Sequence, residues 1–177
     1  MDNDSLSNNQ GKIISNIDEK LNWAVRSAEK IKIDTSNKIQ VHDNFWSYLS
    51  AYQSCMNYFN RYLNILHHNK SKKEKERLCN LAISNWKETL SKEEKTTCNL
   101  LNKLRNNDHH EKPHFVNFDI VIEVLVTEYG YCLVTEDGFA IEIGRKNKCF
   151  VLYKGKEFQI ESLIDNGINA IMKLIQY

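Results

Sequence analysis

Leu104-Arg105-Asn106-Asn107-Asp108-His109-His110-Glu111-Lys112-Pro113 is the stretch on which the fold turns. Before it, apolar residues recur every three or four positions; after it, they recur every two. Proline has no amide hydrogen to donate and disfavours helical backbone in the residue before it, so Pro113 closes a helix whose last turn covers 109–111. The chain is therefore expected to be helical up to Pro113 and β-rich beyond it.

Working upstream, Ile14, Ile17, Leu21, Ala24, Ala28 and Ile31 make one apolar stripe on a helix over 12–33. A second helix carries Phe45, Tyr48, Leu49, Tyr52, Cys55, Met56, Phe59, Tyr62, Leu63 and Leu66, and its aromatic load makes it the spine of the helical part. A third, over 72–89, presents Leu78, Leu81, Ala82 and Trp86. Ser91 with Glu94 three residues on reads as a capping box, from which a fourth helix runs through Cys98, Leu101 and Leu104.

Working downstream, Val116, Phe118, Ile120, Ile122, Val124 and Val126 alternate with polar positions as a strand does. Further strands are expected over 131–135 and 139–143, joined at Asp137-Gly138, and over 148–153 and 156–160, joined at Gly155. A last helix, striped by Leu163, Ile164, Ile168, Ile171, Met172 and Ile175, is expected to cover one face of this meander. No internal repeat is apparent. The prediction is an α+β chain: a disordered tail over 1–11, an antiparallel four-helix bundle over 12–113, and a small antiparallel meander with a C-terminal helix over 114–177.

With 177 residues, 41% hydrophobic and 27% charged, the chain can build one good core without staples. Its net charge of +1 recommends neither nucleic acid nor membrane in bulk, so phosphate recognition has to come from local clusters. Lys70, Lys72, Lys73, Lys75 and Arg77 form one, facing only Glu74 and Glu76; Arg145, Lys146, Lys148, Lys154 and Lys156 form a second. The five cysteines are widely spaced, without a CxxC pair, and read as reduced thiols. Residues 1–11 lack the apolar run of a secretion signal, and no stretch approaches membrane-spanning length, so a cytoplasmic protein without a membrane partner is expected.

The quoted stretch also carries chemistry. Arg105 is always cationic and grips phosphate oxygens with a planar fork of donors, while histidine titrates near neutrality and can give or take a proton. Arg105, Asn106 and His110 match RNxxxH, and with an aromatic second helix and Trp86 ahead of the motif helix, 12–113 resembles the HEPN superfamily. That resemblance implies a bundle that dimerises through its motif helices. Two arginine and histidine sets would then share one cleft and cut RNA without metal or cofactor, leaving a cyclic phosphate. Arg105 would clamp the phosphate, His110 act as acid or base, and Asn106 orient either one. Many relatives are toxins or antiviral effectors, so an antitoxin or defence-system partner is implied; others are inactive interaction or nucleotide-binding modules.

Helical geometry adds His109 as a rival to His110. At about 100° per residue, Arg105 and His110 stand roughly 140° apart, whereas Arg105 and His109 nearly eclipse. RNA contacts are expected from Lys70, Lys72, Lys73, Lys103, Arg145 and Lys146. The alternative for Arg105 and His110 is a capping and ion-pairing role with Asp108 or Glu111. No metal site is expected, because His110 and His114 straddle Pro113 and lose their helical register. His67 and His68 read as exposed residues at a helix end.

Overall fold

A computed structural model describes residues 3–110 and 116–176, and the side chains of residues 8–106 and 116–176. The elements run α1 (Asn3–Ile33), α2 (Lys38–Leu66), α3 (Lys72–Glu88), α4 (Lys92–His110), β1 (Val116–Val124), β2 (Glu142–Tyr153), β3 (Lys156–Gln159) and α5 (Ile160–Gln176). The chain is α+β, with one antiparallel three-stranded sheet in the order β1-β2-β3.

The spine is α2. Phe45, Tyr48, Leu49, Tyr52, Cys55, Phe59 and Leu63 are all buried, as their spacing requires, and pack along α1 through Ala24, Ala28 and Ile31. Two details of α1 differ from expectation. It starts at Asn3 rather than near Lys12, since Asn, Asp and Ser suit a helix start. Ile13, not Ile14, faces the core. In α3 only Trp86 is buried; Leu81 is exposed.

The principal refinement concerns α5. The sequence assigned it to cover the sheet; it does touch β2 and β3, but it packs chiefly against α4, α1 and α2 as a fifth member of the helical core. Tyr48 donates toward the carbonyl oxygens of Ile164 at 3.3 Å and Leu163 at 3.5 Å. The Trp86 indole N–H donates to the Ala170 carbonyl at 3.0 Å, fastening α3 to the same helix. Gly167 is the point of closest approach. A Cβ built there would stand 2.1 Å from the Tyr48 hydroxyl and 2.9 Å from Leu101 Cδ1, so only glycine lets α5 reach α2 and α4. Of the expected α5 stripe, Leu163, Ile164 and Ile171 are buried, whereas Met172 and Ile175 are exposed and Ala170 and Leu174 are buried instead; which surface the buried face meets is a tertiary matter.

With α5 in the bundle, most of the sheet stands uncovered. Val116, Cys149 and Val151 join the core, and Phe118, Tyr153 and Phe158 pack against it. Beyond them β1 and β2 continue as a two-stranded arm, pairing Asp119 with Lys148 through Val124 with Glu142. Lys154 (φ 50°) and Gly155 (φ 74°) turn β2 into β3, and two successive positive φ values suit the twist of a tight hairpin.

Of the expected strands over 131–135 and 139–143, only 142–143 enter a ladder, as the start of β2. The rest reduces to single bridges, Val126 with Cys132 and Val134 with Ala140, at the tip of the arm. The reason is an eight-residue repeat that hydrophobic periodicity does not reveal: Val126-Thr127-Glu128-Tyr129-Gly130-Tyr131-Cys132-Leu133 is followed by Val134-Thr135-Glu136-Asp137-Gly138-Phe139-Ala140-Ile141. Both copies fold alike. Thr127 N–H donates to Tyr131 O and Thr135 N–H to Phe139 O, while each threonine hydroxyl accepts from the same partner's amide. Gly130 (φ 81°) and Gly138 (φ 83°) occupy the left-handed position each loop needs. Where loops and arm meet, three backbone bonds close a ring: Leu133 N–H to Leu125 O, Ile141 N–H to Leu133 O, and Leu125 N–H to Ile141 O, at 2.8, 3.0 and 2.9 Å.

Candidate functional site

The motif helix is built from its first turn. Ser91 Oγ accepts from Glu94 N–H at 3.1 Å and Glu94 Oε2 from Ser91 N–H at 2.7 Å, which is the expected capping box. Burial pushes the Glu94 carboxyl up, but the Lys173 ammonium and the Ser91 amide outweigh it and hold the group below the ordinary glutamate value. Three turns on, Leu101 and Leu104 are fully buried and fix the helix's rotation.

That rotation decides what the motif presents. Arg105, next to Leu104, is half-buried and has an interaction partner within the protein; Asn106 is exposed. The helix continues without a break to His110. Arg105 and His109 therefore share one helical row, Asn106 and His110 the next. The side chains of His109 and His110, and all of 111–115, lie outside the described residues.

The predicted RNA contacts fall in three places. The Tyr52 hydroxyl faces Cys98, and Tyr48 reaches Gly167 beside Leu101, so α4 runs antiparallel to α2 and Arg105 lies toward α2's first turns. Lys103 shares this end, with its ammonium 6.0 Å from the Tyr153 ring. Lys70, Lys72 and Lys73 follow the other end of α2, roughly 30 Å away at 1.5 Å per helical residue. Arg145 and Lys146 sit out on the arm, seven or eight strand residues from Tyr153, or about 25 Å. Arg145 is held there by Glu142, with Nη2 3.1 Å from Oε2, and Lys148 by Glu157 at 2.5 Å. The basic hairpin is thus partly neutralised, and these cations do not form one surface with Arg105.

Three of the five thiols are suppressed by burial. Cys55 is pushed up to about 12, and Cys98 and Cys149 are also raised. Cys132 is exposed at the arm tip and Cys79 is half-buried. Among the described residues no three His, Cys, Asp or Glu side chains converge as a metal site, and no helix is long and apolar enough to cross a membrane.

Two features escaped the sequence reading. One is the arm tip, which the octapeptide repeat could have signalled. The other is an apolar cavity of about 250 Å³ among α1, the end of α2, α3 and the end of α5, with Phe59, Tyr62, Leu66, His67 and Ile175 in its wall. No signal in the sequence points to it, because its walls come from four separate helices. No family model matches this chain, and neither a curated protein nor a solved structure matches it.

Proposed function

We propose that the protein is a metal-independent endoribonuclease of the HEPN type, working as a homodimer through α4. The observation that carries the reading is the continuity of α4 from Leu104 to His110, which keeps a phosphate-binding guanidinium and two imidazole positions within two turns of one helix end. In the reaction the ribose 2′-oxygen attacks the adjoining phosphorus and the bond to the 5′-oxygen breaks. His110 takes the 2′-proton or protonates the leaving oxygen, with the second copy's His110 supplying the other transfer. Arg105 neutralises charge gathering on the phosphoryl oxygens, Asn106 orients the imidazole, and His109 is the alternative proton carrier. Lys103 would add backbone phosphate contact. A toxin or defence role with a matching antitoxin or system partner belongs to the same reading.

The test is cleavage of single-stranded RNA in EDTA. Arg105→Ala and His110→Ala should each lower turnover by about 100-fold or more with unchanged melting. Activity wholly dependent on added metal, or unaffected by both substitutions, would sink the proposal. A second reading, a non-catalytic interaction module, is favoured by the uncovered arm; it requires stable association and no turnover.

A further inference from the structure

The arm carries apolar surface that none of the described residues covers. Ile120 and Ile122 lie on one face of β1 and Val121 on the other, yet all are exposed. At the tip Tyr129, Tyr131 and Phe139 are each more than 70% exposed. A lone two-stranded ribbon is marginal in water, and its exposed side chains are on the order of the ~800 Å² per partner that a standard interface buries. An occupant is needed on physical grounds.

Charge selects it. Residues 123–144 hold Glu123, Glu128, Glu136, Asp137 and Glu142 and no Lys, Arg or His. The whole chain is +1, so everything outside this tip sums to +6. Pairing of tip with tip would oppose like charges, whereas pairing of the tip with the bundle's lysine cluster joins opposite ones. The bundle offers a matching receptor. The cavity of about 250 Å³ has mainly apolar walls, and the next turns of chain after His67 bring Lys70, Lys72, Lys73, Lys75 and Arg77. A 150 Å³ apolar cavity takes up benzene, so this one admits an aromatic ring. Cavity and arm occupy opposite ends of the bundle: the cavity adjoins the last turns of α2, while Lys38 at its first turn lies 5.5 Å from the Phe118 ring at the arm's base.

We infer that two copies of this chain exchange arms, each seating its acidic aromatic tip in the apolar cavity beside the other's lysine cluster. Reciprocal exchange about a two-fold closes the assembly and leaves no arm unpaired. The inference stands apart from the nuclease reading, since it uses neither Arg105 nor the histidines.

Sedimentation equilibrium of the full chain at low and high salt tests it. Association should weaken as salt rises. Tyr131→Ser with Phe139→Ser, and separately Lys72→Glu with Lys73→Glu, should each weaken it by about 10-fold or more. Adding Glu136→Lys with Asp137→Lys to the lysine variant should restore it, a rescue that misfolding could not give. A protein monomeric throughout the micromolar range, association strengthened by salt, indifference to the arm variants, or failure of the charge-swap rescue would each overturn the inference.

Discussion

The Lys173 ammonium on α5 contacts both carboxylate oxygens of Glu94 on α4, at 2.7 and 2.9 Å. Glu94 is also the reciprocal acceptor of the α4 capping box, so one buried carboxylate ties a helix start to the neighbouring helix. Lys173→Met leaves that charge buried with only the Ser91 amide. A loss of about 1–3 kcal/mol in urea unfolding is expected, below the full cost for a wholly buried pair because Lys173 is partly exposed. Glu94→Gln keeps an acceptor for the cap and should lose less.

The same pair gives a pH signature. The folded-state pKa of Glu94 is depressed, so its contribution is fully present above the ordinary value of about 4.3 and disappears as pH falls through the lower folded value. In Lys173→Met, burial dominates and the pKa should rise instead. Thermal unfolding between about pH 5 and pH 3 should therefore lose stability more shallowly in the variant than in the parent.

Gly167→Ala would raise intrinsic helix propensity and still destabilise. The new methyl would meet the Tyr48 hydroxyl at 2.1 Å and Leu101 at 2.9 Å, both on fully buried side chains. About 1–3 kcal/mol is expected, with partial recovery when Tyr48→Phe removes the nearer atom. Equal melting of Gly167→Ala and parent would disprove the close approach.

Because α5 completes the helical core, a chain ending at residue 113 should not fold despite keeping four helices. Replacing residues 119–148 by a short turn should preserve the fold, since no residue of 119–148 joins the core, while Val116, Cys149 and Val151, which do, are kept. Circular dichroism and cooperative melting of the two deletions distinguish this arrangement from an autonomous N-terminal bundle.

Thiol labelling at neutral pH should show Cys132 reacting at once and Cys79 more slowly. Cys55, Cys98 and Cys149 should be protected until unfolding, because burial both hides them and suppresses their thiolates. Rapid modification of all five would contradict the packing of α2, α4 and β2.

Local chemistry made much of this molecule legible in one dimension. Apolar spacing identified α2 and the buried face of α5, Ser91 and Glu94 marked the start of α4, and the change of period at Pro113 separated helix from strand. These signals act over three to eight residues, the range on which helical and pleated periods and capping bonds operate. Only the tertiary structure placed α5 chiefly against Tyr48, Leu101 and Trp86, with the sheet a lesser neighbour, because an apolar stripe fits any apolar surface and the close approach rests on Gly167's missing Cβ. It also separated Lys70 from Lys103 along the length of α2 and left the acidic arm bare, relationships fixed by packing between residues distant in sequence.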